Sequence, residues 1–188
     1  MKKTLDAINA LYPTPVVLVG AVVNGKPNFI TIAHVGILNH AEPHLISLSM
    51  GKIHYTNAGI RENKAFSVNL PGENLVVETD YVGIVSGKKT DKSDLFDVFY
   101  GQLDKAPMIR ACPINMECRL FEIYNTTSHD IFIGEIVQTY ADETVVTDDK
   151  IDLAKVNPLL FDMNSRKYWS LGEPLANCWS VGKQMKSQ

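Results

Sequence analysis

Three polar side chains stand at every second position just before a segment that is predicted to form a short helix. They are Lys52, His54 and Thr56, within the stretch "SMGKIHYTN" of residues 49–57. In an extended chain alternate side chains point to the same face, so these three groups are predicted to converge. A helix that begins near Thr56 would direct its unpaired N–H groups at the same space.

This combination is suited to binding an anion of the size of one phosphate group. Lys52 supplies a positive charge, Thr56 a hydroxyl that can also cap the helix, and His54 a ring donor. The alternative is a solvated loop in which Thr56 only caps the helix. Both interpretations stay open on these residues alone, because anion sites at helix starts are common but short motifs also occur by chance.

A group of histidines raises the question of a metal site. His34, His40 and His44 lie close together, with Glu42 between two of them. Zinc and iron ligands usually come from rigid elements, whereas this segment is typical of a strand end, a loop and a turn that contains proline. We therefore expect no metal site there.

Several other chemistries lack their sequence motifs. The chain contains neither G-x-G-x-x-G nor G-x-x-x-x-G-K-[ST], so neither a Rossmann dinucleotide site nor a Walker phosphate loop is expected. It also lacks the G-x-S-x-G motif that presents a nucleophilic serine. No sequence motif therefore supports a hydrolase function.

The elements that must position the polar residues are mostly strands. Residues 16–23 are apolar and largely β-branched, end at Asn24-Gly25 and are followed by residues 28–33, which predicts a hairpin with a tight turn. Alternating apolar and polar residues predict further strands at 44–49 and 65–70, with the short helix between them.

The rest of the chain is predicted to contain a helix and two long strands. Residues 73–85 favour a helix over a strand. The alternation that begins at Ile114 shifts phase at Phe121, as it would at a bulge where a strand bends around a barrel. Residues 129–141 then predict a second long strand with apolar residues on both faces.

These elements favour a mainly β fold. Strands outnumber helices and do not alternate regularly with them, which disfavours a doubly wound sheet. The sequence contains no Gly/Ser linker, low-complexity tract or internal repeat. We predict one domain over residues 1–188, folded as a closed antiparallel barrel.

Composition and charge limit the binding partners and the cellular compartment to be expected. The net charge is −3 with a pI near 5.9, and no block of Lys and Arg is present, which argues against a nucleic-acid partner. The longest apolar run, residues 15–23, is too short to span a membrane. Cys112, Cys118 and Cys178 form no C-x-x-C pair, so we expect reduced thiols, with Cys118 in the core. The sequence predicts a soluble cytoplasmic protein.

Four segments together carry a resemblance to a known family. In chain order between Tyr12 and Trp179 they are "NFITIAHVG", "PHLISLSMGKIHYTNAGIRENKAFSVNL", "YVGIVSGKKTDK" and "HDIFIGEIV". Each segment is weak evidence alone, but their order and separation make a specific match. The chain resembles the flavin reductase-like family of FMN-binding split barrels, in particular its flavoredoxin branch.

The resemblance implies a homodimer with a six-stranded antiparallel split β-barrel and a few peripheral helices. It implies that FMN lies along the strand formed by residues 28–34, with its phosphate at Lys52 and Thr56, and that the S-G-x-x-x-D-K segment borders the flavin. His129 stands near the ring as the candidate catalytic residue. The residues implied to contact the cofactor are Thr31, Ile32, Ala33, Ser49, Met50, Lys52, His54, Thr56, Ser86, Gly87 and Lys92.

The resemblance implies a redox function and leaves three forms of it open. A flavin reductase would accept NADH or NADPH, with the nicotinamide between His129 and residues 86–92. An electron carrier would hold FMN and exchange electrons with a redox protein. An oxidase of the pyridoxamine phosphate oxidase type would need a basic substrate-binding cluster, which the sequence does not show. We expect an FMN-binding oxidoreductase of the reductase or flavoredoxin-like type.

Overall fold

The computed structural model describes residues 1–187 and is mainly β. The strands are β1 (Thr14–Pro15), β2 (Val17–Val23), β3 (Lys26–Ile32), β4 (Val35–Asn39), β5 (Leu45–Gly51), β6 (Ala65–Leu70), β7 (Val98–Phe99), β8 (Met108–Ile109), β9 (Ile114–Asn125), β10 (His129–Ala141), β11 (Val146–Thr147), β12 (Lys150–Ile151), β13 (Leu160–Asp162) and β14 (Lys167–Trp169). The α-helices are α1 (Thr56–Asn63), α2 (Val76–Ile84) and α3 (Leu153–Val156), and 3-10 turns span Glu73–Leu75, Glu143–Val145 and Val181–Ser187. None of the helices in this described part of the chain is long and apolar enough to cross a membrane.

One large antiparallel sheet forms the barrel, in the order β3-β2-β6-β9-β10-β5-β4. β3 and β4 stand at opposite ends of this order, yet only Ala33 and His34 separate them in the chain. The Ser49 N–H of β5 donates to the His34 carbonyl at 2.9 Å, so this junction is itself hydrogen-bonded to β5. The sheet therefore closes on itself. The predicted six-stranded barrel is confirmed when β3 and β4 are counted as one bent strand.

The predicted hairpin is confirmed as β2 and β3. Asn24 and Gly25 connect the strands with φ angles of 50° and 78°, and Val23 pairs with Lys26. Two successive positive φ angles characterise the tight turn whose twist matches that of the flanking strands, and Asn-Gly adopts them readily. β3 begins two residues earlier than the sequence pattern indicated, at Lys26.

The predicted bulge lies where the sequence pattern changes phase. Glu122 pairs with Ile133 and Leu120 pairs with Gly134, so Phe121 has no partner on β10. The extra residue bends β9 and reverses which side chains face the interior. The predictions of two long strands at this point of the chain are confirmed by β9 and β10.

Two apolar cores hold the barrel and its helices. The interior of the barrel is filled by side chains from all its main strands, with Phe66, Phe132 and Leu48 fully buried. A second cluster joins Phe29 of β3 to Val82 of α2, and so packs this helix against the outside of the sheet. Burying a large apolar side chain stabilises a fold by about 1.5–3 kcal/mol. The predicted helix over residues 73–85 is confirmed as a 3-10 turn followed by α2.

The three cysteines are free thiols. Cys112 and Cys118 are buried and Cys178 is exposed. Burial raises the pKa of both buried thiols well above its ordinary value. The prediction that Cys118 lies in the core is confirmed.

Candidate functional site

A cleft of about 350 Å³ opens where β3 passes into β4, and we call it the main cleft. Residues 31–34 line it along the end of β3, while Ser49 and His129 contribute from β5 and β10. Its remaining lining residues are Val16, Gly51, His54, Asp80, Gly83, Ile84, Phe161, Met163 and Tyr168. The end of α2 and the hairpin β13–β14 therefore complete a cleft that begins on the barrel.

A smaller cleft of about 210 Å³ adjoins the main cleft, and we call it the helix-end cleft. The two share His54, Gly83 and Ile84. Its other lining residues are Asn28, Ile30, Ile53, Tyr55, Thr56, Val85, Ser86, Gly87 and Lys92. The start of α1 and the turn after α2 meet here, which brings together two motifs that lie about thirty residues apart in the sequence.

The structure corrects the predicted arrangement of Lys52, His54 and Thr56. β5 ends at Gly51, and the His54 N–H donates to the Gly51 carbonyl at 3.1 Å, so the chain turns instead of staying extended. His54 and Thr56 line the helix-end cleft, whereas the exposed Lys52 side chain lines neither cleft. The prediction that these three side chains share one face is wrong, because the turn breaks the alternation.

Thr56 is the first residue of α1 and not its N-cap. Tyr55 occupies the cap position and makes no capping hydrogen bond through its side chain. Thr56 is 1% exposed, and its Oγ1 accepts a hydrogen bond of 2.7 Å from Asn28 Nδ2. Because both groups are buried, losing this bond would leave the Asn28 amide N–H without a partner, which would be costly. Thr56 therefore attaches α1 to β3 beside the helix-end cleft.

Lys92 is buried between β3 and the end of α2, with 4% of its surface exposed. Its Nζ donates to the carbonyls of Phe29 at 2.5 Å, Val85 at 3.2 Å and Val82 at 3.3 Å. An ammonium group has three N–H donors, so all of them have backbone acceptors. Burial lowers the pKa of Lys92 to about 8. Lys92 lines the helix-end cleft but acts as a clamp between two of its walls.

The Ser86-Gly87 turn requires glycine at its second position. A Cβ atom added to Gly87 would lie 2.6 Å from Cδ1 of Tyr55 and would overlap Oδ1 of Asn28. The Ser86 carbonyl accepts from the Lys89 N–H at 2.9 Å, which closes the turn. Only the absence of a side chain lets this turn approach the start of α1 so closely.

Three histidines line the main cleft. The ring centroids of His34 and His129 are 6.4 Å apart, and His129 Nδ1 lies 2.9 Å from Ser128 Oγ. Burial, followed by the neighbouring His129, lowers the pKa of both His34 and His54, and Lys92 is a further cause for His54. Neutral imidazoles can donate and accept hydrogen bonds, as a polar organic ligand requires. The sequence places His34 among possible metal ligands and at the end of the strand implied to lie along the flavin, but not among the candidate site residues.

One wall of the main cleft was missed by sequence reasoning altogether. The Tyr168 O–H donates to Asp80 Oδ1 at 3.1 Å and ties β14 to α2. Burial and the neighbouring Asp80 raise the pKa of Tyr168 to about 12. Phe161 packs against Tyr168 with ring centroids 5.7 Å apart. These residues are separated by up to 88 positions along the chain and belong to no local motif, so no sequence signal marks them.

Comparison with known proteins decides the family. Residues 9–170 match the family described as "Flavin reductase like domain". The chain belongs to the flavin reductase-like family. Among solved structures of this fold, the flavoredoxin from Methanosarcina acetivorans is 41% identical, with a TM-score of 0.95 over 98% of this chain and 99% of that one. The flavoredoxin of Desulfovibrio vulgaris (Miyazaki F) is 37% identical, with a TM-score of 0.90 over 97% and 100%.

A more distant solved structure shares the fold. The FMN-binding protein from Thermus thermophilus is 22% identical, with a TM-score of 0.79 over 94% of this chain and 97% of that one. Together these matches confirm the predicted family, its flavoredoxin branch and the split-barrel fold.

Most residues that the flavin reductase-like resemblance implied are brought together. The main cleft holds Thr31, Ile32, Ala33, Ser49, His54 and His129, and the helix-end cleft holds His54, Thr56, Ser86, Gly87 and Lys92. Two are not. Lys52 lies outside both clefts, and the Met50 side chain is fully buried in the barrel core because the alternation of β5 turns it inward. The position of Met50 gives no support to a side-chain contact with a cofactor.

One buried nitrogen lies without a hydrogen-bond partner at the junction of the two clefts. His54 Nδ1 is buried and lacks a hydrogen-bond partner. Buried polar atoms are nearly always paired, so such an atom beside a cleft fits a bound group that completes it. No group of three or more His, Cys, Asp or Glu side chains within residues 1–187 is placed to hold a metal ion.

Proposed function

We propose that this chain binds FMN noncovalently and is an oxidoreductase that uses the flavin for electron transfer. The observation that carries the proposal is the joined pair of clefts. The wider one has aromatic and apolar walls, and the narrower one has polar groups at the start of α1. An isoalloxazine ring requires walls of the first kind, and a phosphate-bearing arm requires donors such as those of the second.

The residues present fit this cofactor. In the main cleft, residues 31–33 and Ser49 would hold the ring. In the helix-end cleft, Thr56 and the Ser86-Gly87 turn would hold the arm, and His54 would find a partner for its buried Nδ1. Lys52 would add positive charge from outside this cleft.

When bound, a flavin supplies hydride and electron transfer by itself. The residues of this chain would orient the ring, exclude water and deliver a proton. His129 is proposed as the catalytic residue, because it lines the main cleft and its Nδ1 is already held by Ser128. Its other ring nitrogen would then exchange a proton with the bound cofactor or substrate.

The proposed electron donor is NADH or NADPH, with the nicotinamide between His129 and residues 86–92. Similarity to two flavoredoxins favours a second form, in which the partner is a redox protein. Anaerobic mixing of the FMN-loaded protein with each nicotinamide separates the two. Rapid bleaching of the flavin absorption indicates a reductase, and a protein that stays yellow with both donors is a carrier. Colourless protein that does not take up added FMN contradicts both forms.

We also propose that the chain works as a homodimer in the cytoplasm. Ile53 and Ile84 line the helix-end cleft yet are 85% and 74% exposed, and Trp179 is 93% exposed. Covering such side chains with a second copy would favour association. Light scattering measures the mass in solution. A monomer that binds FMN with full affinity would contradict a site shared between two chains.

A further inference from the structure

A third cleft, of about 570 Å³, lies beside the N-terminal segment, and we call it the N-terminal cleft. It shares Ala33, His34, Ser49 and His129 with the main cleft, so the two spaces adjoin. Its other walls come from residues 9–14, from the paired strands β4 and β5, and from Ser128. The cofactor proposed above accounts for the main and helix-end clefts but does not occupy this space.

The lining of the N-terminal cleft carries no permanent charge, although the imidazoles of His34 and His129 can be protonated. None of its lining residues is Lys, Arg, Asp or Glu, whereas Lys92 lines the helix-end cleft. Placing a phosphate, sulfonate or carboxylate in a site without a compensating charge is costly. While both imidazoles are neutral, the cleft therefore disfavours anionic ligands, and it also disfavours ligands that need a carboxylate partner.

Polar atoms and aromatic rings in this cleft suit a flat ligand that carries oxygen atoms. Tyr12, His34 and His129 form a row of rings, with centroid distances of 6.3 Å and 6.4 Å. The Tyr12 hydroxyl lies 2.9 Å from His34 Nε2. Thr14 Oγ1 is buried and has no hydrogen-bond partner, so its hydroxyl is left to donate to a ligand.

We propose that the N-terminal cleft binds an uncharged aromatic carbonyl compound of the p-quinone class. The rings of Tyr12, His34 and His129 would flank the ligand ring, and the Thr14 hydroxyl would donate to a carbonyl oxygen. The binding stands on this cleft alone. The role as electron acceptor rests on the proposed function. The quinone would take up two electrons and two protons and leave as the hydroquinone, with the flavin of the proposed function as the two-electron reductant.

Two matched probes test the charge argument. Menadione is uncharged, and a naphthoquinone sulfonate has the same ring system with one negative charge. Each is titrated into the FMN-free and the FMN-loaded protein while the imidazole signals of the five histidines are followed by NMR. We expect menadione to shift the signals of His34 and His129, but not those of His40 and His44, and to bind at least tenfold more tightly than the sulfonate. Equal affinity for both probes would overturn the proposal.

Gly36 offers a variant that fills the cleft without touching the other two. It lines the N-terminal cleft, and a Cβ atom there would meet only Ser47 Oγ, at 3.4 Å. Gly36→Val should therefore fold and weaken menadione binding at least tenfold. Ile37→Val is the matched control, because Ile37 is the next residue of β4, is 78% exposed and lines none of the three clefts. Unchanged menadione affinity in a folded Gly36→Val protein would refute this site.

The flavin titration keeps the two proposals separate. Gly36→Val should leave the FMN affinity within twofold of wild type, since Gly36 lies outside the clefts assigned to the cofactor. If wild type fails to bind FMN, the proposed function fails while menadione binding to the FMN-free protein still supports the cleft. If FMN binds and menadione shifts neither His34 nor His129, only the inference about this cleft is overturned.

Discussion

The Nζ atom of Lys92 lies 2.5 Å from the carbonyl oxygen of Phe29, which attaches the last residue of the S-G-x-x-x-D-K segment to the backbone of β3. The same ammonium group donates to two carbonyls at the end of α2. A lysine whose donors are all used in this way sets the position of two cleft walls. It is therefore a positioning residue, and its charge is already engaged within the protein.

Replacing Lys92 by Met should weaken FMN and riboflavin by the same factor. The substitution removes the clamp between β3 and α2 and leaves buried carbonyls unpaired, so the free energy of unfolding should also fall by about 1–3 kcal/mol. Flavin fluorescence titration and urea unfolding measure the two effects. Lys105→Met, at an exposed lysine in another loop, should change neither. A loss of affinity confined to FMN would instead assign Lys92 to the phosphate.

Replacing Lys52 by Ala should discriminate between the two flavins. Lys52 lines neither cleft, so the prediction requires its exposed side chain to turn toward the bound phosphate. A charge-assisted hydrogen bond formed in this way is worth roughly 1.5–3 kcal/mol, so FMN affinity should fall about ten- to a hundredfold, while riboflavin affinity stays nearly constant. Because Lys52 is exposed, its loss should cost little stability. Titration of both ligands decides the matter, and equal losses for FMN and riboflavin would remove Lys52 from the phosphate site.

Thr56→Val should destabilise the protein even though the side chain keeps its shape. The buried Asn28 amide would lose the acceptor that lies 2.7 Å away, at a cost of about 1–3 kcal/mol. A double-mutant cycle with Asn28→Ala, followed by urea unfolding, isolates this bond from other effects. Additive losses would show that the two residues act independently. A capping role predicts such additivity, because the cap interaction would not involve Asn28.

His129→Gln should raise the pKa of both His34 and His54. A neighbouring imidazolium disfavours a second positive charge, and His129 is the second-largest cause of the lowered pKa at each of these residues. Burial remains, so each pKa should stay below its ordinary value. NMR titration of the imidazole signals reports the change, with His44→Gln as the control. Unchanged pKa values of His34 and His54 would mean that the charge of His129 does not affect them.

Local patterns predicted β2, β3, β5, β6, β9 and β10, because the causes of these strands are local, but they missed β4, which lies in the segment expected to form a loop and a turn. The Asn24-Gly25 turn and the phase shift at Phe121 each depend on a few neighbouring residues, and both are found where expected. The motif residues around Thr31 and Ser86 also reach the clefts, because each sits at an end of a correctly predicted element.

The features that sequence reasoning did not predict depend on tertiary pairing. The turn after Gly51 is fixed in part by the hydrogen bond from the Lys52 N–H to the Ser128 carbonyl at 3.1 Å, far away in sequence. The Asp80–Tyr168 contact likewise joins distant segments. Alternation of side chains along a strand carries no information about contacts between distant segments. The prediction that Lys52 converges with His54 and Thr56 was therefore wrong.

Ala33 and His34 connect β3 to β4, the two ends of the sheet order, and so form the junction at which the barrel closes. They also line the main cleft. The hydrogen bond from the Ser49 N–H to the His34 carbonyl attaches this junction to β5, next to the pairing of Val35 with Leu48. A molecule bound against residues 31–34 would contact this junction and should make its opening less frequent. Hydrogen exchange of the Ser49 amide should therefore slow when the main cleft is occupied, because that amide is hydrogen-bonded to a cleft residue.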